Sequence, residues 1–181
     1  DMAKSIHYFL LAANLNYADA QFVLGSLYEE GKLVPRDINK CIHYYSLAAN
    51  QNHVFAQNNL GILYKNGELV PRDMAKSIHY FLLAAKQNNF YAQFTLGSLY
   101  RDGILVPRDM DKSLYYYTLA ANQNTDTQFL LGMIYLEGKF VPQDIDKSIY
   151  YFSLASNQNY PDAQYILGMI YLKCKQVPRD I

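Results

Sequence analysis

The chain has 181 residues, 51% of them apolar and 18% charged, so it can bury a core in one domain or two small ones and is not a disordered segment. Its 16 Lys plus Arg balance 16 Asp plus Glu, and a neutral chain lacks the basic surplus that phosphate binding needs, which argues against a nucleic-acid partner. Two cysteines cannot staple a secreted scaffold, and no apolar run reaches the roughly 20 residues of a membrane helix, so no membrane insertion and a cytoplasmic location are expected.

The chain repeats itself. The Gly of an L-G-x-x-Y segment stands at positions 25, 61, 97, 132 and 168, at intervals of 36, 36, 35 and 36. V-P-R-D begins at Val34, Val70, Val106 and Val177, and V-P-Q-D at Val141. Residues 1–181 thus read as one array of about five units (1–36, 37–72, 73–108, 109–143 and 144–179), with Asp180 beginning a sixth, and the array is expected to be a segment of a longer protein.

In chain order, the first unit opens on Asp-Met-Ala-Lys-Ser-Ile-His-Tyr-Phe-Leu-Leu-Ala-Ala, which recurs unchanged from Asp73 in the third. The second unit shows the pattern in full. Over 37–51, Ile38, Ile42, Tyr45, Ala48 and Ala49 recur at spacings of three and four, the stripe of an amphipathic helix. Asp37 stands at its N-cap and Lys40 three residues on. Asn52 follows, with Asn16, Asn88, Asn124 and Asn159 as counterparts, in a column that reads as the left-handed stop of the helix.

A second helix over 54–66 carries Ala56, Leu60, Leu63 and Tyr64 on its apolar side, and Gly67 ends it, as Gly31, Gly103 and Gly138 end others. The fourth unit lacks a residue near Thr125, with Thr127 in place of Ala, and the fifth has Cys174 where Gly would end the helix. Pro161 suits a first helical position. Ten helices and no strands are expected. A pair of helices this short cannot bury its apolar face alone, so neighbouring pairs must stack into a solenoid. Gly61 lies mid-helix, at a cost of about 1 kcal/mol relative to Ala, which implies close approach of another helix backbone. Leu47, Leu60 and Tyr64 are expected to fill the interior.

Each unit reads A-Q-x-x-L-G-x-x-Y-x-x-G-x-x-V-P-R-D-x-x-K-x-x-x-Y-x-x-L-A-A-x-Q-N, as from Ala56 to Asn88. This resembles the SEL-one-like repeat, a relative of the tetratricopeptide repeat, over essentially the whole chain. The resemblance implies an all-α, right-handed α–α superhelix acting as a protein–protein interaction scaffold or adaptor. Relatives serve in ubiquitin-ligase complexes and host interaction, or sit beside protein kinases. Cysteine-rich relatives linked to penicillin binding carry a cysteine pair in each repeat, which this chain lacks, so that activity does not carry over.

No single residue type forms a reactive site by its spacing. His7, His43 and His79 share one column, with Tyr115 and Tyr150 in the later copies, and lie one repeat apart, about 10 Å, too far to share an ion. Cys41 and Cys174 fall in different columns several units apart, which excludes a disulfide within one chain. The Tyr8, Tyr44, Tyr80, Tyr116 and Tyr151 column reads as packing. Lys4, Lys40, Lys76, Lys112 and Lys147, with Arg36, Arg72, Arg108 and Arg179 and the intervening Asp, read as a self-neutralised ridge. No nucleophile elbow, zinc helix, Walker loop or dinucleotide fingerprint occurs. No cofactor, metal or catalytic residue is therefore assigned.

Columns that vary between copies carry the functional expectation. On the L-G-x-x-Y helix, residues spaced 4, 3 and 4 share a face: Asp19, Val23, Ser26, Glu30; Phe55, Asn59, Ile62, Asn66; Tyr91, Thr95, Ser98, Asp102; Asp126, Leu130, Met133, Glu137; and Asp162, Ile166, Met169, Lys173. By analogy with tetratricopeptide-like superhelices this face is concave, polar in the middle and apolar toward the later copies. A partner protein or peptide is expected there, on Asn59, Ile62, Asn66, Thr95, Ser98, Asp102, Leu130, Met133, Glu137, Ile166, Met169 and Lys173. The alternatives are a regulatory array beside a catalytic domain, such as a kinase, or a hydrolase. Both ends fall mid-repeat without a polar capping helix, so end-to-end self-association is a further expectation.

Overall fold

The computed structural model describes residues 2–176, with side chains from 3 to 173. It contains α1 (Met2–Asn14), α2 (Ala18–Glu30), α3 (Ile38–Asn50), α4 (Val54–Asn66), α5 (Met74–Lys86), α6 (Phe90–Asp102), α7 (Met110–Ala121), α8 (Thr125–Glu137), α9 (Ile145–Ser156) and α10 (Pro161–Gln176). No strand forms among the described residues. The helices group into two compact units, one ending at Leu96 and the other starting at Gly97, so the boundary falls inside α6. In the first, α1 packs on α2, α2 on α3, α3 on α4 and α4 on α5; in the second, α7 packs on α8, α8 on α9 and α9 on α10.

The junctions are built by short polar side chains. Asp37, Asp73, Asp109 and Asp144 each accept the backbone N–H of the Lys three residues on, at 2.9–3.0 Å, and so fill an orphan donor at the start of α3, α5, α7 and α9. Asn16, Asn52, Asn88 and Asn159 have φ of 60–63° and reverse the chain between paired helices. Asn124 departs from that column: its φ is −138° and its side chain accepts the Thr127 N–H at the N-cap of α8. Because the fourth unit is one residue short, Asn124 is drawn into the capping place that His53 and Asn89 hold elsewhere. At the opposite turn, Gly31, Gly67, Gly103 and Gly138 stop α2, α4, α6 and α8 in the left-handed region. α10 has Cys174 at that position and runs on to Gln176.

The helical Gly column admits a ring rather than a backbone. A Cβ on Gly25 would collide with the Tyr45 ring, and one on Gly61 would lie 2.7 Å from that of Phe81. Gly97 faces Tyr117 and Gly132 faces Phe152 in the same way. These four rings are fully buried, and so are Leu24, Leu60, Leu96 and Leu131. The closeness extends to hydrogen bonds, since Ser77 Oγ donates to the Gly61 carbonyl and Ser113 Oγ to that of Gly97, both at 2.8 Å. Leu47, expected in the interior, is half-buried; Tyr45 fills that place.

A second buried column was not foreseen. Gln21, Gln57, Gln93 and Gln128 each donate to a carbonyl at the end of the preceding helix, of Ala13, Ala49, Ala85 and Ala121. The Oε1 atoms of Gln21, Gln57 and Gln128 accept from the next repeat: Gln51 bonds Gln21 at 2.7 Å, and Gln87 bonds Gln57 and Gln158 bonds Gln128 at 2.8 Å. This amide ladder stitches one helix pair to the next without breaking the apolar interior.

Candidate partner-binding face

The L-G-x-x-Y helices place their varying residues beside the hydroxyl ends of the ring column. In the first unit the ring of Tyr45 crosses the Gly25 notch, and its hydroxyl emerges between α2 and α4. It donates to Glu29 Oε2 at 2.7 Å, accepts from Asn59 Nδ2 at 3.1 Å and lies 3.0 Å from Ser26 Oγ. In the second unit the Tyr117 hydroxyl meets Ser98 Oγ at 3.0 Å, with the Arg101 guanidinium 5.8 Å from the ring. Burial, above all, pushes both phenols above their ordinary range, so they stay protonated as donors. Phe81 and Phe152 have no hydroxyl, and there the paired position is Ile62 or Met133 instead of Ser. The column pair thus reads Ser with Tyr and aliphatic with Phe.

Each unit carries a cavity on this face. In the first, about 200 Å³ is enclosed by Glu29, Arg36, Ile62, Leu63, Asn66 and Glu68, with Leu69. In the second, about 430 Å³ is lined by Leu136, Ile145, Tyr165, Ile166, Met169 and Ile170, with Gln143 and Lys173. The first is edged by charges, the second walled by hydrocarbon. The expected residues divide accordingly. Ile62, Asn66, Asp102, Glu137, Met169 and Lys173 are exposed, whereas Asn59, Thr95, Ser98, Leu130, Met133 and Ile166 are half-buried. Leu130 packs against the Tyr117 core, and Met133 and Ile166 against the Phe152 core.

The remaining expected columns have structural uses. His7, His43 and His79 are exposed, each edge-on to the following tyrosine at 5.2–5.6 Å, as Tyr115 and Tyr150 are at 5.0 and 5.1 Å. His53 caps α4 through Nδ1, which accepts the Ala56 N–H, while Nε2 points to Asp19 at 3.4 Å. No group of three or more His, Cys, Asp and Glu able to hold a metal forms among the described residues. Tyr44, Tyr80, Tyr116 and Tyr151 stack nearly parallel on Tyr28, Tyr64, Tyr100 and Tyr135 at 5.9–6.1 Å. Lys40, Lys76, Lys112 and Lys147 lie over the latter rings at 5.0–5.2 Å while paired to the capping Asp.

The arginines serve the backbone instead of that ridge. Arg36, Arg72 and Arg108 donate to carbonyls at the ends of α2, α4 and α6, and Gln143 does so for α8. Cys41 is buried, and its thiol is pushed up to about 12, chiefly by burial. The expected exclusion of a Cys41–Cys174 bond rests partly on a side chain outside the described residues, as does the place of Arg179.

The folded chain is an all-α helical-repeat solenoid, with packing between sequence-adjacent helices. The Sel1 repeat matches at residues 1–17, 18–53, 54–89, 90–125, 125–160 and 161–181, and the chain belongs to that family. Sel1 repeat proteins are generally protein-interaction scaffolds. Among solved structures, a Sel1 repeat protein from Oxalobacter formigenes is 30% identical with a TM-score of 0.79, over 99% of this chain and 74% of that one. The protective antigen c5321 of uropathogenic Escherichia coli, which displays an SLR fold, is 28% identical with a TM-score of 0.73; this chain, 99% covered, spans 46% of it. Helicobacter pylori cysteine rich protein B is 26% identical with a TM-score of 0.54, over 76% of this chain and 99% of that one. No curated protein matches. No helix among the described residues is long and apolar enough to cross a membrane.

Proposed function

We propose that this array is a non-catalytic scaffold that holds a partner protein or peptide against the varying face of its L-G-x-x-Y helices, the concave face of the superhelix. The observation that supports this most is the hydrocarbon-walled cavity beside Met169, which suits an aliphatic or aromatic anchor of an amphipathic peptide. Lys173 and Gln143 at its edge offer donors to an acidic or carbonyl-bearing flank. In the first unit, Glu29, Asn59 and Asn66 offer polar contacts instead. Varied residues on a fixed repeat frame are what selectivity among partners requires, because packing constrains the other columns.

The test is affinity capture with the full chain as bait, followed by binding measurements on the captured partner. Met169→Glu, at a site 38% exposed, is expected to weaken binding at least tenfold with an unchanged melting temperature. Undiminished binding by that variant removes the cavity from the interface. End-to-end association of copies through the ends of the array is compatible with this reading.

A further inference from the structure

The helices of the varying face are capped by different chemistries. Asn89 and Asn124 cap α6 and α8 through amide oxygens, which accept a hydrogen bond at any pH near neutrality. α4 is capped by an imidazole, whose Nδ1 in His53 accepts the Ala56 N–H at 3.2 Å. Only a ring nitrogen without a proton can accept, so this cap needs neutral His53 with its hydrogen on Nε2. The surroundings favour that tautomer. Nε2 lies 3.4 Å from Asp19 Oδ1 on α2, and the Tyr17 hydroxyl, just before α2, donates to Asp19 Oδ2 at 3.1 Å. The Phe22 ring stacks on the imidazole with centroids 4.5 Å apart, and Phe55 meets it edge-on at 6.1 Å. The His53 side chain is therefore only 13% exposed.

A second proton on this ring can go only to Nδ1. There it removes the acceptor and sets one N–H against another at Ala56. The resulting cation also faces the positive end of α4, whose first turn, Val54 to Gln57, carries no charge to offset it. Asp19 is the one facing group that favours the cation. Its side chain is 67% exposed, so water screens the ion pair, which is worth little. From α3 the facing ionisable group is Tyr45, across the Phe22 ring, and its buried phenol stays neutral. The balance of these groups leaves the loss of the cap uncompensated.

We infer that His53 is an acid-operated latch on α4. Neutral, it closes the first turn of the helix; protonated, it lets that turn open. Imidazoles change charge between pH 8 and pH 5, a range in which the amide caps of α6 and α8 do not change. The response is therefore confined to the α3–α4 junction. The turn that opens carries Phe55, an aromatic side chain 53% exposed on the varying face, so acid alters that surface at one place. The latch belongs to the free chain and does not depend on any partner being bound there.

The experiment is nitrogen-15 NMR of the 181-residue chain from pH 8 to pH 5, reading the histidine ring nitrogens and amide exchange together. At pH 8 the ring of His53 is expected to carry its hydrogen on Nε2, with the Ala56 amide protected. At pH 5 both ring nitrogens are expected to be protonated. Protection at Ala56, corrected for the intrinsic pH dependence of exchange, should then fall at least tenfold, while the Asn-capped amides of Ala92 and Thr127 keep theirs. His53→Asn installs the cap that α6 and α8 already use, so folding is retained, and Ala56 protection is expected to become independent of pH. A ring that carries its hydrogen on Nδ1 at pH 8 overturns the proposal. So does equal Ala56 protection in wild type at both pH values, or a loss in acid that persists in His53→Asn.

Discussion

A glycine within a helix is ordinarily a loss, and its sign here depends on what faces it. Replacing Gly by Ala in an open helix gains about 1 kcal/mol, which is the expectation for Gly168→Ala, where nothing lies within 4 Å of the added Cβ, followed by thermal melting. At Gly61 the same Cβ meets the Phe81 ring at 2.7 Å, so Gly61→Ala is expected to lower stability instead. Equal shifts at both positions refute the ring-notch account. The sequence showed that the column mattered but could not say that a ring was the visitor, because Tyr45 and Phe81 lie 20 positions away on a different helix. The glutamine column was legible as A-Q and A-x-Q-N yet carried no reading, since its bonds join side chains 30 residues apart. Gln57→Leu strands the Ala49 carbonyl and the Gln87 amide, and a loss of about 1–3 kcal/mol in chemical denaturation is expected.

At the scale of the helix, the caps were the most readable feature, because capping is local chemistry. The short fourth unit is the exception: a one-residue deletion moves Asn124 from a left-handed stop to an N-cap, a choice that turns on backbone geometry. Asn124→Ala is expected to cost about 1 kcal/mol through α8, whereas Asn52→Gly, at φ 62°, is expected to cost little or nothing. The Asp caps add a pH signature. The backbone N–H of Lys112, followed by the Lys112 side chain, holds the Asp109 carboxyl below its ordinary value, and Asp73 and Asp144 are lowered likewise. A depressed folded pKa contributes stability that is fully present above the unfolded value, about 4. That contribution disappears as pH falls through the lower folded value. Asp109→Asn keeps the cap oxygen but not the charge, so its melting deficit at pH 7 is expected to shrink toward zero in that acid window; a deficit independent of pH rules out a role for the carboxylate's ionisation.

For the molecule as a whole, packing between sequence neighbours means that damage should stay near its source. Stability in such arrays is a sum of unit terms and nearest-neighbour interfaces, so a lesion lowers protection where those terms are shared and decays along the chain. Leu131 is fully buried in α8, beside Tyr117, and Leu131→Ala is expected to cost about 3 kcal/mol. Native-state hydrogen exchange should then show amide protection falling most in α8 and its neighbours α7 and α9, while α2 to α4 exchange as in wild type. Uniform loss from α2 to α10 would mean one cooperative core instead of linked modules. The same locality explains why the scaffold was legible in the sequence and its cavity was not. Periodicity reports what every unit shares, but the 430 Å³ space beside Met169 comes from Leu136, Ile145, Ile166 and Ile170, which come together only when α8, α9 and α10 pack.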